Sequence, residues 1–171
     1  MSKSGLFAHF GSKEELQLAT IEAAGERFVN EVLRPVLSEP RGYPRLMAIC
    51  RSWIEYIRRD VFPGGCFFAA ASFEFDGRPG LVRDAIVKAM DDWIGALDRA
   101  IVMAQEEGHI DPAIDSKQLA FELNSLFFGA NFAHQLREDK RALEFATRAI
   151  ESRLEGVRIT PSSRRSASGR R

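Results

Sequence analysis

Apolar side chains recur at spacings of three and four along most of this chain, the period of an amphipathic helix. No stretch alternates convincingly as a half-buried strand does. The first segment runs from about Lys13 to Leu33. Ser12 is placed to cap it, Glu15 to complete a capping box, and Pro35 and Pro40 to stop it. The second runs from about Pro44 to Arg59, with Leu46, Ile49, Cys50, Trp53, Ile54 and Ile57 on one face. The third runs from about Leu81 to Glu107 on a stripe of Val82, Ile86, Ala89, Met90, Trp93, Leu97, Ile101 and Ala104, with Gly108 behind it. The fourth runs from Ser116 to about Leu136, capped by Asp115 or Ser116. The fifth runs from about Lys140 to Leu154 and ends at Gly156. Between the turns at 62–65 and 76–80, the segment from Cys66 to Phe75 is almost wholly apolar. It reads as a short buried helix, with a strand as the alternative because it is short and rich in Phe.

The expected fold is therefore all-α, a bundle of about six helices. Residues 160–171 are Ser, Arg and Gly without apolar pattern and read as a disordered tail. Its arginines read better as solvated than as a nucleic-acid contact.

The fourth helix is apolar almost all round: Leu119, Phe121, Leu123, Leu126, Phe127, Phe128 and Phe132 leave it no polar face. Such a helix must be covered on both sides. One side can face the core or a cavity, and the other a second subunit. Asn124 and Asn131, seven apart on one face, need hydrogen-bond partners if buried, either on a ligand or across a dimer seam. Trp53, Tyr56, Ile57, Phe67, Phe73, Met90, Trp93, Asn124 and Phe127 are the candidates to line an apolar pocket, with simple core as the plainer reading of each.

Composition adds limits. With 45% hydrophobic and 28% charged residues, the chain is ordinary for a soluble globular protein, and thirteen Phe supply an unusually large apolar area. The formal net charge of zero argues against a surface devoted to nucleic acid, while leaving room for a local basic patch. Cys50 and Cys66 form no framework, which fits a reducing cytoplasm, and no apolar run is long enough to cross a bilayer. The three His show no ligand spacing, and nucleophile, phosphate-loop and dinucleotide motifs are missing. Glu74 and Asp76 read as a solvated turn. Neither an enzyme nor a metal or cofactor is expected.

The chain opens with Ser2-Lys3-Ser4-Gly5-Leu6-Phe7-Ala8-His9-Phe10-Gly11-Ser12-Lys13-Glu14-Glu15-Leu16. It is a short basic helix, a glycine stop and the capped start of the next helix, and no acid precedes Glu14. Phe7-Ala8-His9-Phe10-Gly11-Ser12-Lys13-Glu14-Glu15-Leu16 resembles the end of the recognition helix, the turn and the next helix start of the tetracycline-repressor family of transcriptional regulators. The segments at 64–71 and 74–80 resemble, less specifically, sensor domains of one branch of that family.

The resemblance implies a recognition-helix remnant at 1–12, a connecting helix at 13–37, a ligand-sensing and dimerising domain at 38–156 and a basic tail at 157–171. It puts Ser2, Lys3 and Ser4 toward the major groove and His9 and Lys13 near phosphates. Phe7 stands where the family often has a Tyr, without the hydroxyl that would reach a phosphate. Phe121, Phe128, Asn131, Phe132, Leu143 and Ile150 become the expected dimer interface. The implied function is repression of transcription, relieved when a small, largely apolar effector binds and the dimer leaves its operator DNA. The rivals are a sensor module that does not bind DNA and, less favoured, a small helical enzyme. Since the sequence opens on the turn, we expect a misassigned or truncated start and weak operator binding by the chain alone.

Overall fold

The computed structural model describes residues 11–159. Among them are six α-helices and no strand. They are α1 (Lys13–Phe28), α2 (Tyr43–Arg58), α3 (Phe67–Phe75), α4 (Leu81–Glu106), α5 (Ser116–Gln135) and α6 (Ala142–Glu155). Five of the expected helices match to within about two residues at the ends, while the first, expected to reach Leu33, is α-helical only to Phe28. The strand alternative for the Phe-rich segment is excluded.

Local chemistry fixes the ends. The Glu15 N–H donates to Ser12 Oγ at 3.1 Å, the first half of the expected capping box. Asp115 rather than Ser116 caps α5, accepting from the N–H groups of Lys117 at 2.9 Å and Gln118 at 3.2 Å. Gly11 has φ +71°, the left-handed conformation that the motif's glycine stop requires. The N–H of Tyr43 donates to His109 Nδ1 at 3.2 Å, so a side chain from beyond α4 closes the start of α2.

The first helix does not end cleanly at Phe28. It widens into a π-turn at Val29–Leu33 and tightens into a 3-10 turn at Arg34–Val36. Pro35 is the cause, since it has no N–H to give the carbonyl four residues back and its ring collides with that carbonyl. The carbonyl concerned, Glu31 O, instead accepts from Ser52 Oγ at 3.3 Å.

The longest helix, α4, spans roughly 39 Å and is the axis of the bundle. It packs against α1, α2, α3 and α5, while α6 lies along α5 and α2. One continuous core results, drawing on every helix. Residues 157–159, expected in the tail, are tied to the bundle. Val157 is buried, Asp111 N–H donates to Val157 O at 3.1 Å, and Ile159 N–H donates to His109 O at 2.9 Å. The rest of the expected tail, 160–171, lies outside the described residues. No helix of the described residues is long and apolar enough to cross a membrane.

Candidate functional site

A cavity of about 270 Å³ opens between α1, α4 and α5, with Trp53 of α2 and the start of α3 closing its far side. Its size falls just under the usual range of small-molecule sites, about 300–1,000 Å³. The walls are aromatic. Phe28 meets Trp93 edge to face at 5.1 Å and Phe68 at 6.2 Å, and Trp53 stacks on Phe127 at 4.6 Å. Flat rings held in these preferred geometries brace one another across a gap that branched side chains would fill.

Polar groups are few. The indole N–H of Trp93 donates to Asn124 Oδ1 at 3.1 Å, which fixes ring and amide together in the wall. Cys66 lines the cavity as well. Burial pushes its thiol up from the ordinary value, so it is a neutral, soft apolar group and not a thiolate nucleophile. The Cys50 thiol, buried in α2, is pushed up to about 12 by the same desolvation. Three carboxylates, those of Glu22, Glu26 and Asp92, complete the lining.

Of the expected pocket residues, the structure brings together Trp53, Met90, Trp93, Asn124 and Phe127. It does not bring in the other four. Tyr56 and Ile57, one turn on from Trp53, are solid core, each 1% exposed, with Tyr56 packed edge to face behind the cavity's Phe28 at 5.5 Å. Phe67 packs between Phe62 and Phe68 and opens toward a second groove beside α1. Phe73 is 65% exposed and touches only the edge of the cavity's Phe128.

The expected interface also divides. Phe121 and Phe132 are exposed on α5. Leu143 and Ile150 are not available as a seam, since both are buried in the protomer's own core. Phe128 turns into the cavity wall. Asn131 is spent internally, its Oδ1 accepting the Cys66 N–H at 2.9 Å and so holding the start of α3. Gly65 makes that bond possible: φ is +88°, and a Cβ there would collide with Asn131 Oδ1.

Ser2, Lys3, Ser4, Phe7 and His9 lie outside the described residues. Lys13 is described, exposed in the first turn of α1. The periodicity missed the whole contribution of α1 and its π-turn to the cavity: Glu22, Gly25, Glu26, Phe28, Val29 and Leu33. Gly25 was the available signal, because a glycine within a helical run marks a close approach. Here the approach is to Phe68, 3.9 Å from where a Cβ would stand.

A family model described as the tetracyclin repressor-like C-terminal domain matches residues 42–150. No curated protein matches the sequence significantly. Among solved structures, the chain is similar to a TetR transcriptional regulator from Chloroflexus aurantiacus, with 22% identity over 90% of this chain and 78% of that one and a TM-score of 0.83. It is also similar to a TetR-family regulator from Cytophaga hutchinsonii, with 19% identity over 94% and 80% of the two chains and a TM-score of 0.82. The reduced form of Escherichia coli NemR shares 21% identity over 94% and 82%, with a TM-score of 0.72. At these identities the structural likeness speaks for the fold.

Proposed function

Since the chain belongs to the tetracycline-repressor family of transcription regulators, we propose that it is a cytoplasmic, homodimeric repressor that leaves its operator when a small molecule fills the cavity. One observation carries the reading. The longest single stretch of the cavity wall, 22–33, comes from α1 and the π-turn that continues it, and α1 leads directly out of the motif Phe7 to Leu16. A ligand therefore presses on the element that orients the DNA-reading segment. The Val29–Leu33 π-turn, which supplies Val29 and Leu33 to the wall, is the place where that helix has least regular backbone bonding. A ligand that binds one setting of α1 better than another shifts the population by its differential affinity and by no more.

Ser2, Lys3, Ser4, Phe7, His9 and Lys13 are the residues assigned to DNA. The dimer is assigned to α5 and α6. Phe121, Ser125, Gly129, Phe132 and Leu136 form an exposed stripe on α5, and Phe145 is exposed on α6. Apolar area of this kind is usually covered.

The test is immunoprecipitation of DNA with the regulator tagged at its C-terminus and expressed from its own locus. Enrichment at discrete sites is expected, each a two-fold pair of half-sites about one or more helical turns apart. The enrichment should fall when Lys13 is replaced by Glu. Absence of discrete sites would overturn the reading in favour of a module that does not bind DNA.

A further inference from the structure

We propose that the molecule taken by this cavity is an organic cation, a compact ammonium- or amidinium-type head on an apolar body. The inference rests on the reading of the cavity as the effector site and adds the charge of the effector. It starts from a bias in the lining. Of its sixteen residues, Glu22, Glu26 and Asp92 carry negative charge, and none is Lys, Arg or His.

The three acids are not equivalent. Asp92 is already answered by Lys88, 2.6 Å away on the outer face of α4. The carboxylates of Glu22 and Glu26, both exposed, have no ion pair or hydrogen bond among the described residues. They stand four apart on the same face of α1, where like charges repel. Where glutamates of the bundle face a basic group they pair with it: Glu31 with Arg59 at 2.9 Å, Glu151 with Arg51 at 2.9 Å, and Glu122 with Arg153. Two exposed, unpaired carboxylates thus share one face at the mouth of an apolar cavity, and a bound cation would relieve their repulsion.

The walls behind the carboxylates suit the same chemistry. Ring faces attract a cation through their quadrupole, Trp most of all, and aromatic enclosures are the recurrent way proteins hold quaternary ammonium groups. Phe28, Phe68, Trp53, Trp93 and Phe127 surround the space into which such a head or its apolar body would pass. An anionic ligand would meet two unpaired carboxylates and no basic group. A neutral apolar ligand would bury the same area and leave the Glu22–Glu26 repulsion untouched.

Both tryptophans of the chain, Trp53 and Trp93, line the cavity, so intrinsic fluorescence reports on its occupancy. The experiment titrates the full chain with three probes of one size. They are benzyltrimethylammonium, its uncharged carbon isostere neopentylbenzene, and the anion 3-phenylpropanoate. Wild type is expected to bind the cation about tenfold more tightly than the isostere and to bind the anion worst. In the double variant Glu22→Gln, Glu26→Gln, both sites being exposed, that preference should fall to about threefold or less while the isostere's affinity stays unchanged. Equal affinities for cation and isostere, or a preference that survives the double variant, would overturn the charge assignment. In either case the cavity would still stand as an apolar effector site. Fluorescence that answers to none of the three would overturn both.

Discussion

The two ends of this core are built from different side chains. Toward the α4–α5 connection it is solid and aliphatic: Leu46, Leu97, Ile101, Ile110, Leu119, Leu123, Ile150 and Leu154 are each at most 2% exposed. Toward the α1–α3 side it is aromatic and hollow, with Phe28, Phe68, Trp93 and Phe127 standing around a void. Branched side chains interdigitate to crystal-like density. Rings stack or meet edge to face at fixed distances and hold a gap open. A single helix, α4, takes part in both, packing solidly through Leu97 and Ile101 and lining the cavity through Ala89, Met90 and Trp93. Stability and ligand capacity are thus separated along one helix rather than between two domains.

The sharpest way to break this contrast is to truncate one residue of α4 at each end. Ile101→Ala should cost about 2–5 kcal/mol, because a fully buried side chain leaves a new cavity. Met90→Ala should cost about 1 kcal/mol or less, because its side chain already borders empty space. Urea unfolding of the two variants gives both numbers, and equal losses would mean that the hollow end is as tightly packed as the solid one.

The solid end should also contribute to alkaline sensitivity, through Cys50. Burial holds the Cys50 thiol at about 12 in the fold, whereas an unfolded chain releases that proton near about 8.5. A raised folded value leaves stability unchanged below about pH 8.5. Above it stability falls by about 1.4 kcal/mol per pH unit as the pH climbs toward the folded value, or about 2 kcal/mol by pH 10. The Cys66 thiol and the Tyr56 phenol are raised by burial as well and add to the fall. Unfolding free energies at about pH 8 and pH 10 should therefore diverge less in Cys50→Ala than in wild type. An identical decline in both would show that the thiol ionises in the folded protein.

How far the sequence could be read follows the same division. The solid end was legible because aliphatic side chains at three-and-four spacing declare a helix face: Leu46, Leu97, Ile101 and Leu154 all sit where the periodicity puts them. The cavity was half legible. Trp53, Met90, Trp93, Asn124 and Phe127 follow from being aromatic or polar on the inner faces of their helices, but periodicity cannot distinguish a ring that faces a void from one that faces a neighbour. Tyr56 and Phe73 fail on that point, one sealed in the core and one outside it. The wall supplied by α1 depends on how that helix is set against α3 and α4, and spacing along one helix carries no such information. Asn131 fails for a related reason: the amide does need a partner, but the partner is the Cys66 N–H at 2.9 Å and not a second subunit.

A smaller effect separates orientation from packing at the hollow end. Asn124→Ala removes the acceptor of the Trp93 indole N–H. It should cost about 0.5–1.5 kcal/mol, the net worth of one hydrogen bond. The freed indole should also show a shifted emission maximum. An unchanged spectrum would mean that the ring is held by Phe28 and Phe127 alone.

The smallest effect belongs to the polar clip across α5 and α6 at the surface of the solid end. Glu122 accepts from Arg153 Nε and, at 3.1 Å, from Gln118 Nε2. Those two bonds, Arg153's first, hold its carboxyl below the ordinary carboxylate value. A lowered folded value means that the stabilisation is present above the unfolded value of about 4.3 and is lost as the pH falls from there through the folded one. Arg153 and Glu122 keep side-chain exposures of 35% and 30%, so solvent screens the pair. Its worth should be that of an exposed pair, about 0.2–1 kcal/mol. Glu122→Gln should therefore lower the thermal midpoint slightly near pH 7, and the difference from wild type should shrink as the pH falls below about 4.3 and close once the native carboxylate is protonated as well. A loss of several kcal/mol at neutral pH would make the α5–α6 contact depend on its charges rather than on Leu143 and Ile150 beneath them. A gap that persists unchanged in acid would mean that the substitution acts through packing and not through the ion pair.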